Sequence, residues 1–197
     1  ETIKESKIFN TNKIILLKDP IISVKNIKKN IIQTTDKMLI SEKYILGIGR
    51  LTKQKNFKLL LKFFFELNKK YPEYKLYILG DGEDRTLLNN TIDKFKLKSK
   101  AYLLGYQDNV FKYLKHAECF ILSSLWEDPG FVLIEAGAMN TNIISSNCPN
   151  GPMEIVSNKD FLFTNDSADD LLAKFEIYKK KSPMELYKQK INIKKKI

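Results

Sequence analysis

Residues 44–82 read YILGIGRLTKQKNFKLLLKFFFELNKKYPEYKLYILGDG, and the order of patterns in this stretch decides the fold. Two short apolar runs, Tyr44 to Ile48 and Lys75 to Leu79, each end at a glycine, Gly49 and Gly80. Between them Leu60, Leu61, Phe64 and Leu67 recur at helical spacing until Pro72, where the missing N–H stops a helix. Strand, turn, amphipathic helix, strand is the unit of a parallel sheet, because parallel neighbours need a crossover about as long as a helix.

The same alternation extends outward. Further apolar runs at Ala101 to Leu104, Cys119 to Leu122, Asn142 to Ser145 and Phe161 to Phe163 bring the expected strands to six. Helices are expected over Phe57 to Tyr71, Arg85 to Phe95 with Leu87, Leu88 and Ile92, Val110 to His116, Phe131 to Met139, and Asp169 to Tyr178. The reading is an α/β fold: a Rossmann-like, three-layer α/β/α domain with a six-stranded parallel sheet over residues 41–180. Residues 1–40 hold one expected strand, Ile14 to Leu17, and read as a strap from a missing N-terminal domain. Residues 181–197 have helical composition but few core positions, which predicts an exposed helix or a disordered tail.

At 197 residues, 43% of them hydrophobic, the chain holds one ordinary domain and its core, with no room for a second. The net charge of +11 comes from lysines scattered through every segment. Because they do not cluster with aromatics, nucleic acid is not the expected partner, whereas anionic ligands or a membrane surface are. No run approaches the roughly 20 apolar residues of a membrane span, and none has the layout of a secretory signal. Cys119, Cys148 and the lone His116 supply neither a disulfide framework nor a zinc ligand set. A cytoplasmic location and a site without metal are the expectations.

In an open parallel sheet, ligands bind where strands end and helices begin. After the first strand come Gly49, Arg50 and, five residues on, Lys55: a bidentate fork and a point charge that can reach one anion. Gly80, Asp81 and Gly82 form a tight turn after the second strand. Neither a Gly-Lys-Ser/Thr phosphate loop nor the six-residue dinucleotide fingerprint is present. After the fourth strand, Ser123 to Ala136 carries Glu127 in a loop and Glu135 about one turn inside an otherwise apolar helix. A carboxylate among Leu133, Ile134, Ala136 and Ala138 is costly to bury alone, so a partner is expected for it. Taken singly, Arg50 and Lys55 also read as solvated cations, Glu127 as a local helix cap, His116 as structural and Trp126 as a core aromatic.

These pieces, with Gly105, Arg85 and the turn Gly151, Pro152, Glu154, resemble in order and spacing the donor-binding, C-terminal domain of glycosyltransferase family 4. The resemblance runs from about Tyr44 to Val156. It implies a GT-B architecture, in which two Rossmann-like domains face each other across a cleft, and a retaining hexosyltransferase. It also implies that Arg50 and Lys55 bind the diphosphate of a nucleotide sugar, that Glu127 sits beside the transferred sugar, and that Glu135 bonds the ribose hydroxyls. Gly49, Gly80, Asp81 and Gly105 would shape the donor site, with Tyr106 bordering the base and the backbone at Gly130, Phe131 and Val132 helping at a helix start.

Such a site needs no cofactor, since fixed cations stabilise the charge that grows on a leaving nucleoside diphosphate. The donor expected is a UDP-linked hexose or N-acetylhexosamine ahead of GDP-mannose. The acceptor expected is a glycan or lipid-linked saccharide in surface polysaccharide or glycolipid assembly, met at the inner face of a membrane. Transfer is expected to need the N-terminal domain, so the fragment alone should be inactive. Two departures stand out: Met139 to Asn142 replaces the family's usual Gly and Pro, and Gly137 is expected to interrupt the helix after Glu135. The alternatives are a non-catalytic nucleotide-binding scaffold and a nucleotide-sugar epimerase. A hydrolase with paired carboxylates leaves the cationic pair without a purpose.

Overall fold

The computed structural model describes residues 37–128 and 130–195. A short helix, α1 (Lys37–Ser41), leads into β1 (Tyr44–Ile48). There follow α2 (Phe57–Lys70), β2 (Lys75–Leu79), α3 (Arg85–Lys94), β3 (Ala101–Leu103), α4 (Phe111–His116) and β4 (Cys119–Leu122). The remainder is α5 (Phe131–Ala138), β5 (Ile143–Ser146), α6 (Pro152–Val156), β6 (Leu162–Phe163), α7 (Ala168–Lys180) and α8 (Pro183–Lys194).

All six strands lie parallel in the order β3-β2-β1-β4-β5-β6. This is the doubly wound Rossmann order, and the chain switches its direction of travel between β1 and β4. Ile45 at the centre pairs with Leu76 on one side and Cys119 on the other. Helices cover both faces, which is why Cys119 to Leu122 is buried without alternation.

α2 buries Phe57, Leu60, Leu61, Phe64 and Leu67, the stripe anticipated from its spacing, and packs between α3 and α7. On α3, Leu88 and Ile92 are buried as expected, but Leu87 is 46% exposed. Cys119 and Cys148 are both buried and unpaired with each other. No helix among the described residues is long and apolar enough to cross a membrane.

Three expectations are corrected. Gly137 does not interrupt its helix: α5 runs through it, and Gly137 is buried with Leu133 and Ala136 on the core face. The turn at Gly151 and Pro152 opens into α6, with proline in the first helical turn where its missing N–H is harmless. Of the two alternatives expected for the tail, the described residues take the helix, but it is not wholly exposed: α8 packs on α5 and α6, buries Ile193, and donates from Gln189 Nε2 to the Ile143 carbonyl at 3.0 Å. Its start is a capping box in which Ser182 and Glu185 bond reciprocally. The expected strand at Ile14 to Leu17 and most of the expected strap lie outside the described residues.

Candidate functional site

The loops that leave the carboxyl ends of β1, β2 and β3 are stitched together by main-chain bonds. Gly49 N donates to Leu79 O at 3.0 Å, Leu51 N to Asp81 O at 2.9 Å, and Gly80 N to Gly105 O at 2.8 Å. Gly80 has φ 125°, and a Cβ there would stand 1.9 Å from the Gly49 carbonyl oxygen, so only glycine permits this approach. The three loops enclose a cavity of about 300 Å³ with Ile48, Leu79 and Val110 as apolar wall and Gly49, Arg50 and Asp81 at its polar side. Arg50 is exposed there. Tyr106 borders the same cavity with 76% of its surface open, while Gln107 is committed on both sides of its amide, donating to Leu104 O and accepting from the Tyr113 hydroxyl. Asp81 accepts from Gly82 N at 2.9 Å and stands 3.4 Å from Arg85, so its carboxylate serves its own turn as well as the cavity.

Across the switch point the loops after β1 and β4 are joined by side chains. Lys55 Nζ donates to both carboxylate oxygens of Glu127, at 2.6 and 2.8 Å. Glu127 is 3% exposed and Lys55 16%, so this is a largely desolvated ion pair. Ser124 Oγ donates to Glu127 Oε1 at 2.5 Å, and Ser123 Oγ to the Lys55 carbonyl at 2.7 Å. Gln54 fixes the loop as well, accepting at its carbonyl from Leu125 N and donating from its side chain to Trp126 O. Gly130, at φ 79°, lies against Glu127: a Cβ there would be 3.3 Å from the Glu127 Cγ. Gly49 links the two halves of the site, because it lines the cavity and sits against the Lys55 side chain.

The first turn of α5 has no side-chain cap, and its first main-chain bond runs from Leu133 N to Gly130 O. The N–H groups of Phe131 and Val132 therefore stand at an open helix start, which favours an anion. Glu135, one turn further, is half-buried, and burial pushes its carboxyl above the ordinary carboxylate range. Contrary to expectation, no side chain among the described residues pairs with it. Trp126 is 46% exposed, not part of the core, because its loop is anchored through its backbone. Among the described residues no cluster of three His, Cys, Asp or Glu side chains is arranged to hold a metal.

The structure thus brings Gly49, Arg50, Gly80, Asp81 and Tyr106 to one cavity, and Lys55, Glu127 and Gly130 into one contact beside it. Ser123, Ser124, Gln54 and Gln107 were not assigned roles from sequence. The readable signal for the serines is two hydroxyls directly after four buried apolar residues, where each must find an acceptor.

Sheet order and switch-point loops define a Rossmann-like domain, with the candidate site between β1 and β4. The chain belongs to the family of glycosyl transferases group 1, whose family model matches residues 28–196. It is 48% identical over 111 residues to an uncharacterized glycosyltransferase of Methanocaldococcus jannaschii, covering 56% of this chain and 27% of that protein. It is 33% identical over 122 residues to the N-acetylgalactosamine-N,N'-diacetylbacillosaminyl-diphospho-undecaprenol 4-alpha-N-acetylgalactosaminyltransferase of Campylobacter jejuni, covering 62% of this chain and 33% of that protein. The chain therefore spans about a third or less of the length of these relatives. Among solved structures, the pneumococcal O-GlcNAc transferase in complex with UDP and GlcNAc superposes with a TM-score of 0.69 at 18% identity, covering 78% of this chain and 32% of that one. That likeness supports the Rossmann-like fold.

Proposed function

We propose that this chain is the donor-binding, C-terminal domain of a retaining family 4 glycosyltransferase that moves a hexose or N-acetylhexosamine from a nucleoside diphosphate to a glycan or lipid-linked acceptor. The observation that carries this reading is the Lys55–Glu127 ion pair across the switch point, with Arg50 exposed on the same loop as Lys55 and Glu135 half-buried on α5 without a side-chain partner among the described residues. In this reading Arg50 and the free N–H of Lys55 hold the diphosphate, and their charge stabilises the leaving phosphate as the glycosidic bond breaks. The open start of α5 adds its backbone dipole. Glu135 bonds the ribose hydroxyls, which supply the partners that its half-buried carboxylate lacks in the protein. Glu127, held next to the phosphate site, faces the transferred sugar.

The base would enter the cavity beside Tyr106. A UDP-sugar is the donor proposed first, supported by the UDP in the pneumococcal structure's description. The Campylobacter relative's name supports a saccharide acceptor linked to diphospho-undecaprenol, and the proposed setting is glycan assembly at the inner face of a membrane. The acceptor would be bound by a further domain, and the isolated chain would transfer little.

Calorimetric titration of the chain with UDP and GDP tests the reading. Binding of UDP is expected, weakened about ten- to a hundredfold by Arg50→Ala, as loss of a charge-assisted hydrogen bond predicts. Glu135→Ala should weaken UDP but leave inorganic pyrophosphate, which has no ribose, unaffected. Equal affinity in wild type and both variants would leave a scaffold that kept the fold without the site.

A further inference from the structure

Two consecutive serines at the end of β4 reach the two partners of the ion pair separately. Ser123 holds the main chain of Lys55, and Ser124 holds the carboxylate of Glu127. Ser124 is itself fully buried, and its carbonyl accepts from Ser146 Oγ at 2.7 Å, so its hydroxyl is aimed from a fixed backbone with no water to compete. The Glu127 backbone is tied in turn to Pro149 O at 3.1 Å. Lysine carries three donors on a flexible stem, and two of them are taken by Glu127. Without the serine, lysine and carboxylate could swing together, because each would be the other's sole side-chain anchor.

We propose that Ser124 is a positioning residue: its hydroxyl clamps Glu127 onto Lys55 so that the ammonium offers its one remaining N–H to a phosphate from a fixed place. The phosphate half of this inference rests on the donor-site reading above; the clamp itself does not. An ammonium held in this way exchanges slowly with water and gives a sharp ammonium resonance in the unliganded, 15N-labelled chain, identified by its loss in Lys55→Gln, where an amide still serves the buried Glu127. Ser124→Ala should broaden that resonance beyond detection, and Ser124→Thr, which keeps the hydroxyl, should restore it. Thr141→Ala removes another buried hydroxyl, one that bonds the Leu114 carbonyl and touches neither Ser124 nor Glu127, and should leave it sharp, and thermal melts check that each variant is folded.

In UDP titrations Ser124→Ala is expected to weaken binding about three- to tenfold with Lys55 present and to have no effect in the Lys55→Gln background, the non-additivity of residues in one network. A sharp Lys55 resonance in Ser124→Ala, or an equal loss of affinity in both backgrounds, overturns the proposal. If the resonance responds as expected while the wild type binds no nucleotide, the donor-site reading fails and the clamp stands on its own.

Discussion

Glu135 carries a cost that no side chain among the described residues offsets. Its carboxylate is half-buried on α5, and burial raises its pKa above the ordinary 4.5. The folded state therefore prefers the protonated form. Stability from this group is fully present below the unfolded-state pKa and is lost as the pH rises from there through the higher folded value. Glu135→Gln, neutral at every pH, should melt together with wild type at about pH 4 and melt higher near neutrality, where ionisation of the freed carboxyl favours unfolding of wild type. Thermal scans across that range check the sign; a glutamine variant that melts lower at neutral pH would reveal a partner for the carboxylate. Glu127 shows the opposite solution at the same site, since its deeper burial is balanced by Lys55 and Ser124. One carboxylate has its partners within the site, and the other has none among the described side chains.

At the scale of elements, α8 shows what periodicity alone conceals. Its apolar residues are diluted by lysine, and its docking depends on a polar residue: Gln189 is 4% exposed and bonds the end of β5. Ile193, 1% exposed, completes the contact. Ile193→Ala should cost about 3 kcal/mol, the usual loss for a buried branched side chain, read as a lowered urea midpoint with unchanged slope. A cost within about 0.5 kcal/mol would mean that α8 is only loosely attached. Most of the remaining architecture was legible in the sequence, because β1, α2 and β2 follow one another as short apolar run, helix of period 3.6 and short apolar run, the pattern of a parallel sheet covered on both faces. The loops at the carboxyl ends of the strands were legible too, through Gly49, Gly80, Arg50 and the two glutamates. What escaped was the aim of individual side chains. The contact from Lys55 to Glu127 spans 72 positions of sequence, and neither Ser124's hydroxyl nor the missing partner of Glu135 leaves any periodic trace.

For the whole molecule the question is whether the excess of cations acts on a ligand at a distance or only through Arg50. The chain has 34 lysines and arginines against 23 acids. Several of these charges are already spent in exposed pairs such as Lys69–Glu66 and Lys98–Asp93, which contribute little to stability. The uncompensated remainder leaves the chain with a net charge of +11, which attracts a polyanion before any contact forms. Such a field is screened by salt, because the Debye length shrinks from about 10 Å at 0.1 M to about 3 Å at 1 M. UDP affinity should therefore fall about tenfold over that range. Arg50→Ala removes a contact and only one cation of 34, so its affinity should start lower yet decline with nearly the same slope. Titrations of both proteins at several salt concentrations separate the two contributions. A variant whose binding no longer responds to salt would assign the attraction to Arg50 alone, and the lysines spread over the rest of the surface would then have no part in drawing the nucleotide in.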